Sequence, residues 1–306
     1  MITVTVTVLV PDEDGVHALE NVPGVKPVQF SPGDPPAEVA EAEVLIPGFL
    51  PPGECLPMLE RMPNLKLIQL LLAGADEWLD LLPDGVLLST GRGAHGGSTA
   101  EWVVAALLSL YRELDAFASA QRARHWERRF ADTLQDKRVL IIGAGDLGRQ
   151  LRRRLEAFDT EVTMVGSKAR DGVRSVDELP ELLGGYDAVA LMVPLTSQTR
   201  GMVDARFLSA MRDGAVLVNA ARGPVVGTAA LLAELESGRL RAALDVTDPE
   251  PLPPDHPLWT APNLLLTPHV GGAVRGLRGR AYAVAAAEIE RYVGGELPHN
   301  LVRDEY

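Results

Sequence analysis

Cysteine is nearly absent from this 306-residue chain: Cys55 stands alone. One cysteine excludes an intramolecular disulfide and a CxxC metal site. Nothing in its surroundings marks Cys55 as a nucleophile, so it reads as a filler of the core or surface. Aromatic residues are scarce at 5%, which leaves Leu, Val and Ala to build the cores. No apolar run reaches the roughly 18 residues that a bilayer span requires. The alternating Thr/Val stretch over Met1–Val10 lacks the charged start and apolar centre of a secretory leader. Positive charge is also in deficit, with a net charge of −13. An acidic surface disfavours nucleic acid and anionic membranes as partners, so an anionic ligand must be met by locally placed basic residues. The expectation is a soluble, cytoplasmic protein with a small-molecule ligand and no bound metal.

What is present is apolar patterning, at 46% of residues, over a length that suits two domains. The stretch with most information is Val139-Leu140-Ile141-Ile142-Gly143-Ala144-Gly145-Asp146-Leu147-Gly148. A strand-like run stops at a glycine, and two more follow at GxGxxG spacing. A helical pattern comes next, with Leu147, Leu151, Leu155 and Phe158 on one face. Strand, glycine turn and helix form the context a dinucleotide fingerprint requires. Its first glycine makes the turn, its second lets backbone approach a pyrophosphate, and its third lets helix and strand pack closely.

Upstream, strands are expected at Ile2–Val10, Val25–Phe30, Val44–Ile46, Leu65–Leu72 and Val86–Leu88. A helix is expected over 52–62, with Leu56, Leu59 and Met62 inward, and a short one after the cap at Asp76, through Leu82. This alternation argues for a small parallel-sheet domain. Gly91–Gly97 reads as a flexible connection, and Ser98-Thr99-Ala100-Glu101 has capping-box spacing ahead of a long apolar helix, buried between domains. Gln121–Arg129 is a polar, basic segment. Downstream, strands are expected at 139–142, 162–165, 188–193, 215–219, 242–246 and 264–266, with capped helices at 204–211 and 228–236 and a last helix at 281–292. The tail from Asn300 returns to the first domain by its position. The fold class is α/β: a Rossmann-type doubly wound parallel sheet beside a smaller α/β domain. The boundaries are 1–97 with 277–306 for the discontinuous first domain and 98–276 for the second.

Open α/β sheets bind ligands beyond the carboxyl ends of their strands. Following each strand of the second domain in turn gives Asp146-Leu147, then Gly166-Ser167-Lys168-Ala169-Arg170, then Pro194-Leu195-Thr196. Next come Ala220-Ala221-Arg222-Gly223, Asp245 with Glu250 behind it, and Thr267-Pro268-His269. One Arg, two acids and one His therefore converge on one sheet edge. A carboxylate stabilises the charged form of a histidine beside it. Such a pair suits a general acid that protonates a ketone oxygen, and a base in the reverse direction. An arginine offers a planar fork to a carboxylate or carbonyl.

From Asp136 to Gly272 these residues carry a resemblance to the D-isomer-specific 2-hydroxyacid dehydrogenases, of the glyoxylate/hydroxypyruvate reductase kind. The matching stretches are Gly143–Gly148, Val193–Thr196 with Thr199–Gly201, Val218–Gly223, Ala243–Val246, Glu250–Pro253 with His256–Trp259, and Thr267–Gly272. Ala73–Asp76 and Thr99–Glu101 extend it into the first part of the chain. The resemblance implies that Arg222 holds substrate, that His269 is the acid/base and that Glu250 orients it. It assigns Asp245 to the nicotinamide carboxamide, and backbone N–H groups at Ala73 and Gly74 to the substrate carboxylate. The dinucleotide cradle would comprise Gly143, Gly145, Asp146, Leu147, Gly148, Pro194, Thr199, Ala220, Ala221, Gly271 and Gly272. A flavodoxin-like substrate domain closed by the C-terminal segment, a cleft over hinge helices and a homodimer built through the nucleotide domain also follow from it.

Two departures matter. NAD-using relatives place an acid at the end of the second strand, where this chain has Gly166 followed by Ser167, Lys168 and Arg170. A hydroxyl and two cations suit a 2′-phosphate, so NADP(H) is the expected cofactor, with NAD(H) possible. The second departure is Arg92-Gly93-Ala94-His95, where many relatives carry an Asn-centred loop; His95 either faces the substrate or fills the hinge. The expected reaction is hydride transfer between NADPH and a small 2-oxoacid. A phosphoglycerate dehydrogenase-like NAD enzyme is disfavoured because no extra basic residues flank Ala73. A phosphite dehydrogenase would ask for lysine at Ala73, and a formate dehydrogenase for glutamine at Glu250. The reading from a different class is a cofactor-sensing, corepressor-like protein without turnover.

Overall fold

A computed structural model describes residues 5–303 of the chain. They form two compact units: one joins the stretch up to His95 with the chain from Arg275 onward, and the other is Gly96–Val274. Both boundaries fall two residues before those read from sequence.

The first unit is built on β1 (Val6–Val10), α1 (Glu13–Leu19), β2 (Val25–Gln29), β3 (Val44–Leu45), α2 (Pro52–Leu59), β4 (Leu67–Gln69) and β5 (Leu87–Ser89). All strand pairs are parallel, in the order β2-β1-β3-β4-β5. That order is the flavodoxin-like winding. Of the strand expected from Ile2, residues 2–4 lie outside the described residues, as do 304–306 of the tail.

Four local expectations are corrected here. The helix α1 was not anticipated; Asp12 caps it by accepting the Gly15 N–H at 3.0 Å. Helix α2 ends at Leu59 and buries Pro52, Cys55 and Met58, while Leu56 is exposed. Leu59 packs partly buried against the same core and Met62 is buried just past the helix, so of the expected inward residues only Leu56 departs. No α-helix follows Asp76, only a 3₁₀ turn at Leu79–Leu81. The strand expected over Leu65–Leu72 is ladder-paired only at Leu67–Gln69, because the chain turns off to meet the loop at Gly91, whose N–H donates to the Leu72 carbonyl at 2.7 Å.

The second unit opens with α3 (Gly96–Tyr111) and α4 (Leu114–Arg122). Its sheet follows as β6 (Arg138–Ile142), α5 (Asp146–Glu156), β7 (Glu161–Gly166), β8 (Val173–Ser175), α6 (Leu179–Leu182) and β9 (Ala188–Leu191). Then come α7 (Ala205–Ala210), β10 (Val216–Asn219), α8 (Thr228–Glu236), β11 (Arg241–Leu244) and β12 (Leu264–Leu266). The seven strands are ordered β12-β11-β10-β9-β6-β7-β8. Strand order reverses between β6 and β9, the switch point at which doubly wound sheets bind ligands. The central strands β9 and β10 are buried along their whole length, as expected of parallel strands covered on both faces. One face packs against α3 and α5 and the other against α6, α7 and α8, with Leu, Val and Ala predominating. Each fully buried Leu or Val side chain contributes about 1.5–3 kcal/mol.

Two more expectations change. Helix α3 starts at Gly96, so Ser98 lies inside it and is not its cap. Helix α8 spans the expected Thr228–Glu236, and Thr228 Oγ1 donates to the Asp248 carbonyl. Phe158 lies past the end of α5 and is exposed, because the chain leaves the helix through Asp159 in the left-handed region. The last helix, α9 (Leu277–Val293), belongs to the first unit and buries Ala281, Tyr282, Ala285 and Ile289 there. The tail beyond it pairs Leu301 with Ser89 beside β5.

Candidate active site

The turn between β6 and α5 is shaped for a ligand. Gly143 has φ +118°, and a Cβ there would overlap the Met192 carbonyl at the end of β9. A Cβ at Gly148 would overlap the Gly143 carbonyl. Both glycines are therefore required by the fold. Gly145 is different: a Cβ there would meet nothing within 4 Å. Its open backbone face adjoins the start of α5 at Asp146 and Leu147, where free N–H groups and the helix dipole favour an anion. These residues fit the pyrophosphate of a dinucleotide.

At the end of β7, Ser167, Lys168 and Arg170 are exposed. The Arg170 guanidinium lies over Gly166, with Nη1 3.5 Å from where a Cβ would stand, and Nη2 donates to the Ala144 carbonyl at 3.1 Å. A cation thus covers the place where NAD-using relatives carry an acid. Beyond β9, Thr199 Oγ1 donates to the Pro194 carbonyl at 2.6 Å and accepts the Thr196 N–H at 2.9 Å. That knot fixes a loop beside the switch point.

Beyond β10, the buried Asn219 organises the next turn. Its Oδ1 accepts the Ala221 N–H at 3.0 Å and its Nδ2 donates to the Arg222 carbonyl at 3.0 Å. Ala220 and Ala221 are buried, and Arg222 stands half-buried at the strand end with Nη1 on the Ala221 carbonyl. The positioning role of Asn219 was missed in the sequence. Its signal is an Asn at a strand end, bonding to backbone two residues on.

The neighbouring strands bring Asp245, Glu250 and His269 together. Asp245 is 3% exposed. Its Oδ1 accepts Thr267 Oγ1–H at 2.6 Å and the Val270 N–H at 2.8 Å, and its Oδ2 accepts the Gly271 N–H at 2.7 Å. Its carbonyl accepts the His269 N–H at 2.7 Å. One buried residue thus pins the whole turn that carries His269. The pinning matters because His269 has φ 54°, a left-handed conformation that a non-glycine residue holds only when its surroundings impose it. The imidazole is about half exposed, and its Nδ1 lies 2.6 Å from Glu250 Oε1. With Nδ1–H donated to that carboxylate, Nε2 is left for proton transfer. Gly271 packs beside Trp102 of α3, and Gly272 follows it half-buried.

Ala73 and Gly74 lie in the first unit, in the half-buried turn after β4. Arg92, in the same unit, is spent on the tail: Nε donates to Asn300 Oδ1 at 3.0 Å and Nη2 to the His299 carbonyl at 3.1 Å. His95 is buried, with Nε2 donating to the Leu71 carbonyl at 2.8 Å. Burial holds its pKa below the ordinary histidine range, the charge of Arg280 adds to the effect, and the Leu71 bond opposes it. His95 thus serves as a neutral strut under the turn at Ala73. Among the described residues, no group of His, Cys, Asp and Glu could hold a metal ion, and no helix is long and apolar enough to cross a membrane.

A reversal point with an anion-binding turn, and on the same edge a histidine backed by a carboxylate, equips the second unit for hydride chemistry on a carbonyl. That is the class of the nicotinamide-dependent oxidoreductases. Comparison with known proteins narrows it. Residues 104–271 match the model of the D-isomer specific 2-hydroxyacid dehydrogenase NAD-binding domain. A glyoxylate reductase of Thermofilum pendens is 32% identical over 265 residues, covering 81% of this chain and 78% of that protein. Among solved structures, a D-isomer specific 2-hydroxyacid dehydrogenase from Xanthobacter autotrophicus, in complex with NADPH and MES, is 31% identical, with a TM-score of 0.82 over 97% of this chain and 98% of that one. An NADPH-dependent glyoxylate/hydroxypyruvate reductase from Sinorhizobium meliloti, in complex with NADP and sulfate, is 26% identical, with a TM-score of 0.82 over 97% and 98%. The chain belongs to the D-isomer specific 2-hydroxyacid dehydrogenase family and is an NAD(P)-dependent enzyme of that family.

Proposed function

We propose that the enzyme reduces small 2-oxoacids of the glyoxylate or hydroxypyruvate type to D-2-hydroxyacids, with NADPH preferred over NADH. The observation that carries the cofactor choice is Arg170 lying over Gly166, with Lys168 and Ser167 beside it. When bound, the reduced nicotinamide supplies the hydride. His269 delivers the proton from Nε2 to the ketone oxygen, and in the reverse direction removes it. Glu250 keeps Nδ1 protonated and stabilises the imidazolium before transfer. Arg222 orients the substrate through its planar fork, and backbone N–H groups at Ala73 and Gly74 are the proposed seat of its carboxylate. Asp245, Pro194, Thr199, Ala220, Ala221, Gly271 and Gly272 are the proposed frame for the nicotinamide half.

The test is oxidation of NADPH and of NADH against a panel of 2-oxoacids. Turnover of glyoxylate or hydroxypyruvate with a higher kcat/KM for NADPH is expected, and His269→Ala should lower kcat by about 10²–10⁴-fold with cofactor binding retained. A clear NADH preference sinks the cofactor assignment. Tight NADPH binding with no turnover on any 2-oxoacid replaces the catalytic reading by a cofactor-sensing one.

A homodimer is part of the same proposal. The segment 114–130 exposes Leu114, Trp126 and Phe130, the last two almost completely. Large apolar groups left this exposed within one short segment suit an interaction site, and a second copy of this chain is the proposed occupant. Sedimentation of the wild type as a dimer and of Trp126→Glu as a monomer is the expected result.

A further inference from the structure

Helix α5 carries four arginines, and three are engaged within the helix. Arg152 pairs with Glu156 at 2.7 Å, Arg153 donates to Gln150 Oε1 at 3.0 Å, and Arg154 donates to the Gln150 carbonyl at 3.0 Å. Arg149 points elsewhere. Its Nη1 donates to the Ala144 carbonyl at 3.2 Å, the same oxygen that accepts from Arg170 at 3.1 Å. The two donating nitrogens therefore cannot be farther apart than those two bonds laid end to end. Neither guanidinium has a carboxylate within ion-pair distance among the described residues, and both side chains are exposed. Two cations are thus gathered on one neutral carbonyl, which balances neither charge.

That carbonyl belongs to the residue between Gly143 and Gly145, beside the open face of the turn, and Arg170 also covers Gly166. One cation comes from the helix and the other from the loop after β7. An ordinary arginine would be satisfied by the surrounding acid of a chain with net charge −13. Here neither arginine is ion-paired among the described residues, and the two positive charges sit where the adenine-side ribose of a dinucleotide lies in a doubly wound sheet. Each guanidinium has five N–H donors in a fixed fork, so each can keep its bond to Ala144 and still offer a pair to phosphate oxygens. We infer that Arg149 is a second specificity-determining residue, which together with Arg170 grips the 2′-phosphate of NADPH. The inference rests on the NADPH preference proposed above.

Calorimetric binding to the ligand-free protein tests it, with NADPH, NADH, 2′-AMP and 5′-AMP as probes. Arg149→Gln should weaken NADPH and 2′-AMP on the order of tenfold, the size of one lost charge-assisted contact, while NADH and 5′-AMP stay within about twofold. In a double-mutant cycle with Arg170→Gln, the two losses should couple for 2′-AMP and not for 5′-AMP, because both cations act on one group. If Arg149→Gln shifts NADPH and NADH by the same factor, Arg149 merely secures the turn; the inference falls and the NADPH preference stands. Tighter binding of NADH than NADPH by the wild type overturns both.

Discussion

Replacing Asp245 by asparagine tests how the histidine turn is held. The carboxylate takes three bonds from the 267–271 turn, each worth about 1.5–3 kcal/mol with a charged acceptor. Asparagine keeps one oxygen, which can serve Thr267 and the Val270 N–H in weaker, neutral form. Its amide nitrogen then confronts the Gly271 N–H, donor against donor. The direct loss is about 3 kcal/mol: one charged bond gone and two reduced. Part is returned, because His269 can leave a backbone conformation that costs about 1–3 kcal/mol. The net destabilisation is about 2 kcal/mol, which lowers the Tm of a domain of this size by about 4–8 °C. A relaxed His269 no longer holds its imidazole in place, so kcat should fall by about 10–100-fold. Calorimetric melting and steady-state kinetics read both quantities, and a separate cofactor titration isolates any effect on binding. A variant that melts within about 1 °C of wild type and turns over at the wild-type rate would refute the account of Asp245 as the anchor.

Glu250→Gln retains an acceptor for His269 Nδ1 but not the charge; kcat should drop by about 10²-fold, with Tm nearly unchanged because the pair is half exposed. Gly148→Ala drives a methyl into the Gly143 carbonyl; a loss of about 1–3 kcal/mol in urea unfolding and weaker cofactor binding are expected. Burial pushes the Cys55 thiol up to about 11, so iodoacetamide at pH 8 should label it only after denaturation, as mass spectrometry would show. His95 resists protonation in the folded state, whereas in the unfolded chain it takes a proton below roughly pH 6.5. Its contribution is therefore complete above pH 6.5 and lost as pH falls below it; urea melts at pH 7 and pH 5 should differ less in His95→Asn than in wild type.

The second unit was readable because buried parallel strands appear as short apolar runs between glycine turns. The strands Ala188–Leu191, Val216–Asn219 and Leu264–Leu266 stand within sequence-based segments, and Arg138–Ile142 begins one residue ahead of its segment. The short β8 was missed because Val173–Ser175 alternates without an apolar run, and it is held by pairing with β7. Helix α1 was missed because it is only seven residues long and its core-facing set, Gly15, Val16 and Leu19, includes a glycine; Asp12 caps it. At the strand ends the sequence offered Arg222, Glu250 and His269 as candidates, and the structure brings Glu250 and His269 within hydrogen-bond distance. The residues that hold them were harder to see. The bonds of Asp245 reach Thr267, Val270 and Gly271, a tertiary arrangement that no local pattern encodes. Arg149 sits among arginines on a helix that reads as a solvated face until Ala144 is seen beneath it.

Strand β12 is three residues long, only partly buried, and paired to the sheet on one side alone. His269 follows it after Thr267 and Pro268. In native-state hydrogen exchange, such an element opens locally at a free energy well below that of global unfolding. The amides of Leu265 and Leu266 should therefore exchange long before those of β9 and β10. Under mild heat or denaturant the enzyme should then lose turnover while its helices and central sheet remain intact, because the proposed acid/base, His269, hangs from a short edge strand.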